Sequence, residues 1–155
     1  WWVLGQHHPD IACAEARRQW DAMSEADRKH LIRSLSGSDE RAVGFLAEIA
    51  TGTDALAQLA TIELARLCIA GHYHGTADPG IAEAFVALVD QLFREPGRRS
   101  EVEKRVSFRG LAPQVVARIA VQLPSDHRAL AIDLLDASES AALRACFDQP
   151  TATPR

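Results

Sequence analysis

The sequence predicts an all-α protein, a compact multi-helix bundle of about eight or nine short helices. Apolar residues recur every three or four positions along most of the chain, capping residues and prolines precede these stretches, and two-residue alternation is never sustained. The most apolar stretch is 53–70, where polar Asp54, Gln58 and Thr61 share one narrow strip. A helix that is apolar nearly all round is normally surrounded by protein. We therefore expect 53–70 to be the central helix.

Capping signals delimit the other elements. Pro9 is predicted to open a helix over 9–23, since proline suits the first helical turn. Ser24 and Asp27 have the spacing of a capping box, which predicts a short helix over 24–36. The remaining predicted helices are 39–51, 53–70, 81–94, 100–107 (opened by a second capping box at Ser100 and Glu103), one from Pro113 to the break at Pro124, 126–137, and a last one capped by Ser138.

Two helical architectures fit this order of elements. The joints are short, which makes consecutive helices antiparallel neighbours in a bundle. The alternative is a short HEAT-like superhelix, but no repeat of about 35 to 47 residues is found. The narrow polar strip of the central helix favours the closed bundle, because each helix of a two-layer superhelix keeps a solvated strip.

The bulk properties exclude several classes of protein. The chain of 155 residues corresponds to a single helical domain over 1–149, followed by a linker-like tail over 150–155. Both ends are expected to be cut from a longer protein, because the chain starts at Trp1 without a methionine. A net charge of −4 argues against a uniformly basic nucleic-acid binder. Charges interrupt every apolar run before the roughly 20 residues of a membrane span.

The cysteines predict a reducing environment. Cys13, Cys68 and Cys146 lie far apart, each in an apolar helical pattern, and form no paired motif. Such residues are normally buried free thiols, so the expected location is the cytoplasm.

One carboxylate stands out on the central helix. Glu63 falls in the middle of its most apolar side, where an ionised group needs a partner or takes up a proton. Arg66 is three residues on and within reach, so a buried Glu63–Arg66 pair is expected. The functional alternative is a carboxylate in a pocket, acting as a base or ligand.

A metal site is the second candidate. Cys68, His72, His74 and Asp78 surround the end of the central helix and offer ligands suited to zinc or copper. The alternative is a surface loop whose histidines lie near the negative end of the helix. Glu63 would lie about 12 Å from His72 along the helix, which disfavours a joint catalytic site.

The third and fourth candidates are surfaces. The aromatic residues Trp1, Trp2 and Trp20 could pack as a flap on the first helix or form a docking surface. A basic stretch could contact phosphate or nucleic acid, although acidic residues alternate with its cations and favour a self-paired surface. Its cations are Arg94, Arg98, Arg99, Lys104, Arg105 and Arg109.

The motifs of common enzyme classes are absent from the sequence, including phosphate-binding loops, nucleophile elbows and zinc-protease helices. We therefore predict a non-catalytic interaction or regulatory module of a larger protein, without a cofactor. Its partner is expected to be another protein or another domain of the same chain. A metal-dependent domain and a phosphate or nucleic-acid contact are the alternatives.

Overall fold

A computed structural model describes residues 1–35, 40–73, 79–108, 111, 113–135, 145 and 147–148. These residues form α-helices joined by short turns, without a strand among them. The helices are α1 (Trp2–His7), α2 (Pro9–Gln19), α3 (Glu25–Leu35), α4 (Val43–Ala50), α5 (Ala55–Tyr73), α6 (Pro79–Arg94), α7 (Arg99–Glu103), α8 (Pro113–Gln122) and α9 (Arg128–Leu134). Single 3-10 turns occur at Trp20–Ala22, Glu40–Ala42, Pro96–Arg98 and Ser125–His127.

The predicted all-α bundle is confirmed, and α5 lies at its centre. Helices α3, α4, α6 and α7 contact α5, while α6 also packs on α4, α8 and α9. One hydrophobic core extends through the described residues from Ala12 to Phe147. Its largest fully buried side chain is Phe85 of α6, whose ring meets that of Phe108 edge-to-face at 5.3 Å. This shared core makes the helices one packed unit.

The polar strip of α5 is only partly solvated. Asp54 and Gln58 are exposed, but Thr61 is fully buried and its hydroxyl donates to the Ala57 carbonyl at 2.9 Å. The helix also continues past Gly71 to Tyr73, so the predicted end at residue 70 was too early. His72 therefore belongs to the helix and not to the following loop.

The N-terminal segment forms a helix that the sequence analysis did not predict. Helix α1 packs on α2 and α3, with Gly5 against Ser34. A Cβ atom at Gly5 would overlap the Ser34 Oγ atom and lie 2.9 Å from the Ser34 Cβ atom, so only glycine allows this approach. Close packing explains how a helix forms here without a capping side chain.

The two predicted capping boxes have different outcomes. At the start of α3, the Asp27 N–H donates to the Ser24 hydroxyl at 3.1 Å, and that hydroxyl donates to the Asp27 carboxylate at 2.7 Å. The box at Ser100 was wrong, because α7 begins at Arg99, directly after the 3-10 turn. Ser100 lies inside α7, where its carbonyl accepts from the Lys104 N–H at 3.1 Å. The preceding turn replaces a side-chain cap.

Several predictions fall outside the described residues: the end of the 24–36 helix, the start of the 39–51 helix, the start of the last helix at Ser138 and the tail over 150–155. Phe147 is described and buried. Among the described helices, none combines the length and apolarity needed to cross a bilayer.

Candidate functional site

A cavity of about 480 Å³ opens at the surface between α2, α3, α4 and the start of α5. Pockets for small ligands and side chains are commonly about 300 to 1,000 Å³, so the size suits a bound group. We call it the Trp20 cavity. Its lining residues are Arg17, Trp20, Asp21, Arg28, Phe45, Glu48, Ile49, Thr51, Gly52, Asp54 and Leu56.

Two aromatic rings, each covered by a guanidinium group, line the Trp20 cavity. The Trp20 and Phe45 rings meet edge-to-face at 5.8 Å. Arg17 lies over the Phe45 ring at 5.1 Å, and Arg28 lies over the Trp20 ring at 5.0 Å. Such cation–π contacts contribute about 0.5–1 kcal/mol each at exposed sites. Both cations are thereby held against the cavity walls.

The turn after α2 positions Trp20. Helix α2 ends at Gln19, earlier than the predicted residue 23, and Trp20 begins a 3-10 turn. The Arg28 Nε atom of α3 donates to the Trp20 carbonyl at 2.9 Å. This bond satisfies a carbonyl at the helix end and fixes α3 against the turn.

Three carboxylates also line the cavity, and their partners differ. Glu48 accepts from the Arg17 Nε atom at 3.0 Å. One oxygen of Asp54 accepts from the Ala57 N–H at 2.8 Å and so caps α5. Asp21 is exposed and has no hydrogen bond or ion pair with the part of the chain that the structure describes.

A buried arginine holds the wall of the cavity formed by Thr51 and Gly52. The Arg98 Nη1 atom donates to the Ala50 carbonyl at 2.5 Å and to the Thr61 hydroxyl at 3.3 Å, and Nη2 donates to the Gly52 carbonyl. Only 8% of Arg98 is exposed. This guanidinium therefore ties the end of α4 to α5 and is turned away from solvent.

The other described cations of the predicted anion-binding stretch also have internal partners. Anion binding by this stretch stays a prediction, and an anion would have to compete with these carboxylates. Arg109 lies outside the described residues. The pairs are Arg94–Asp90, Arg99–Glu103 at 2.8 Å, Arg99–Asp133 at 3.7 Å, Lys104–Glu101 at 2.9 Å and Arg105–Glu101 at 3.7 Å.

Glu63 is fully buried, and the Arg66 Nη1 atom donates to its Oε1 atom at 2.6 Å. The Arg66 side chain is 45% exposed, so the pair runs from the core to the surface. Glu63 and Arg66 are absent from the lining of the Trp20 cavity. This arrangement explains how a carboxylate is accommodated on the apolar side of α5.

The predicted metal ligands are only partly described. Cys68 is buried, its thiol donates to the Leu64 carbonyl at 3.2 Å, and burial raises its pKa. His72 lies in the last turn of α5, whereas His74 and Asp78 lie outside the described residues. The described ranges contain no cluster of three potential metal ligands. Metal binding stays a prediction.

The three tryptophans of the predicted docking surface have separate environments. Trp1 is half-buried and packs on the core, as does Trp20. Trp2 is 51% exposed on α1. Docking through Trp2 stays a prediction, while Trp20 contributes to the cavity.

The sequence predicted Trp20 as a candidate docking residue but gave no indication of the Trp20 cavity, whose walls come from separate helices and the turn before α5. One signal was present: Arg17 and Trp20 have the three-residue spacing of neighbours on a helix. Comparison with protein-family models, curated proteins and solved structures found no match. The geometry of the cavity is therefore the basis for a functional assignment.

Proposed function

We propose that the protein is an interaction module that binds a short segment of a partner protein in the Trp20 cavity. The proposal rests on a surface cavity of about 480 Å³ whose lining combines Trp20, Arg17 and Arg28. Tryptophan, tyrosine and arginine are the residues most enriched at the centres of protein interfaces. Exposed residues of both charges around the rings provide the polar rim that such interfaces have.

The packing of the cavity supports binding without a large rearrangement. The α4 wall is tied to the core by Arg98, and the α3 wall is tied to the turn by Arg28. Rigid walls reduce the ordering cost of association. Helical domains commonly receive extended or helical segments in grooves between their helices.

Selection from a library of random peptides displayed on phage tests this function. We expect selected peptides to bind the protein and to lose at least about tenfold in affinity with Thr51→Trp, which fills the cavity from its rim. Thr53→Trp is the matched control, because Thr53 is exposed but does not line the cavity. Circular dichroism checks that both variants fold. Failure to select any peptide whose binding depends on the cavity would overturn the proposal.

A reducing compartment, such as the cytoplasm, is part of the same proposal. Cys13 and Cys68 are buried free thiols in separate helices, a state typical of proteins that never meet an oxidising compartment.

A further inference from the structure

We infer that the partner segment places a basic side chain, lysine or arginine, in the Trp20 cavity beside Asp21 and Asp54. This inference rests on the proposed function and gives the chemistry of the occupant. The cavity lining contains three carboxylates and two guanidinium groups. The state of each group decides which charge an incoming side chain meets.

Both cations already have hydrogen-bond partners, and Arg17 is also neutralised by a carboxylate. Arg17 pairs with Glu48, whose Oε2 atom lies 2.9 Å from the Arg17 Nη2 atom. The Arg28 guanidinium donates to the Trp20 carbonyl through Nε and Nη2, at 2.9 and 2.5 Å. Each cation also covers a ring face, so those faces are not available to stack with a ligand. An aromatic anchor is thus disfavoured as the occupant.

The carboxylates of Asp21 and Asp54 favour a cation as the bound group. Asp21 is exposed and has no partner in the described ranges, and Asp54 uses one oxygen for the Ala57 N–H. Carboxylates that neighbour a low-dielectric wall attract a cation more strongly than carboxylates in open water. With Arg17 paired to Glu48, the lining keeps one guanidinium, Arg28, against the two exposed carboxylates of Asp21 and Asp54, so its net charge is negative.

The apolar lining suits the stem of a basic side chain. Ile49 and Leu56 line the cavity with the carboxylates, and both are largely removed from solvent. Lysine and arginine pack their methylene chains on apolar surface and keep the charged end among polar groups. An acidic or a purely aliphatic side chain matches only part of this lining.

Two small probe molecules test whether the Trp20 cavity prefers a positively charged side chain. N-acetyl-L-arginine amide carries the cation, and N-acetyl-L-citrulline amide has nearly the same shape without charge. In ¹H–¹⁵N NMR titrations, we expect the Trp20 indole N–H signal to shift, with an apparent affinity about fivefold or more higher for the arginine probe. The preference should fall below about twofold in the Asp21→Asn, Asp54→Asn double variant, where the amide oxygen of residue 54 can still cap α5.

The control is Glu83→Gln, which removes an exposed carboxylate of α6 outside the cavity and should preserve the preference. Equal affinity for both probes, an unchanged preference in the double variant, or no shift with either probe would overturn the inference. If library peptides bind through the cavity while the probes behave identically, docking stands and the basic occupant is wrong. If no peptide depends on the cavity, the proposed function fails whatever the probes do.

Discussion

The Arg98 guanidinium donates a 2.5 Å hydrogen bond to the carbonyl of Ala50, which lies 48 residues earlier in the chain. Ala50 is the last residue of α4, where helical carbonyls lack partners within the helix. A buried cation that bonds neutral acceptors is expensive to remove, because the buried Ala50 carbonyl and Thr61 hydroxyl lose a charged donor.

Arg98→Met should therefore destabilise the protein by about 3 kcal/mol. Arg105→Met is the matched control, since Arg105 is exposed and its nearest carboxylate is 3.7 Å away. That change should cost less than about 0.5 kcal/mol. Urea unfolding followed by circular dichroism measures both. Equal losses in the two variants would rule out the structural role of Arg98.

Glu63→Gln should cost about 1 kcal/mol, because the amide can still accept from Arg66 but loses the charge-assisted part of the bond. Glu83→Gln, on the exposed face of α6, should be close to neutral. The free energy of unfolding at neutral pH is the measurement. If the Glu63→Gln variant were at least as stable as the wild type, the negative charge of Glu63 would not stabilise the folded protein.

Two glycines should respond oppositely to alanine. Gly5→Ala places a methyl group against the Ser34 hydroxyl and should cost about 1–3 kcal/mol. Gly44 lies in α4, and outside its chain neighbours and the α4 backbone no atom lies within 4 Å of the position that an added methyl group would take. Gly44→Ala should therefore stabilise by about 0.5 kcal/mol through reduced freedom of the unfolded chain. Thermal unfolding of both variants measures the two changes: Tm should fall for Gly5→Ala and rise for Gly44→Ala. Similar shifts of Tm in one direction would contradict the close contact at Gly5.

Stability should fall in alkaline solution because of Cys13. Burial raises the pKa of this thiol from 9.0 to about 11. The folded protein therefore holds the proton more tightly than the unfolded chain. The contribution of the protonated thiol to the free energy of unfolding is fully present below about pH 9. Roughly 1–2 kcal/mol of it is lost as the pH rises towards 11.

Unfolding by urea at about pH 8 and about pH 10.5 measures this loss in the wild type and in Cys13→Ala. Cys13→Ala is less stable than the wild type at both pH values, because the substitution leaves a small void. Its free energy of unfolding should nevertheless fall less than that of the wild type between about pH 8 and about pH 10.5. The same pH dependence in both proteins would exclude the thiol as the cause.

Local signals in the sequence predicted much of the fold. Ser24 and Asp27 indicated the start of α3, and the apolar composition of 53–70 identified the central helix. Helix α1 escaped prediction because it depends on Gly5 fitting against Ser34, a contact between segments. Arg98 was grouped with exposed cations, since nothing near it in the sequence reveals that it meets α4 and α5.

The Trp20 cavity was beyond sequence reasoning for the same physical reason. Arg28 covers Trp20 from α3, while Phe45 approaches from α4, and these distances depend on helix packing. The Glu63–Arg66 contact, by contrast, spans three residues of a single helix and could be inferred from spacing alone. Contacts within one helix can be predicted from residue spacing. Contacts between helices depend on tertiary packing and are seen only in the structure.

The bond from Arg98 to Gly52 makes the cavity a property of the whole chain. Every lining residue lies between Arg17 and Leu56, so a shortened protein ending before residue 98 would contain the complete lining. It would lack the donor that anchors Gly52 and the end of α4. The shape of a cavity near the start of the chain thus depends on a residue in its second half, and under the proposed function damage to the turn before α7 would weaken partner binding.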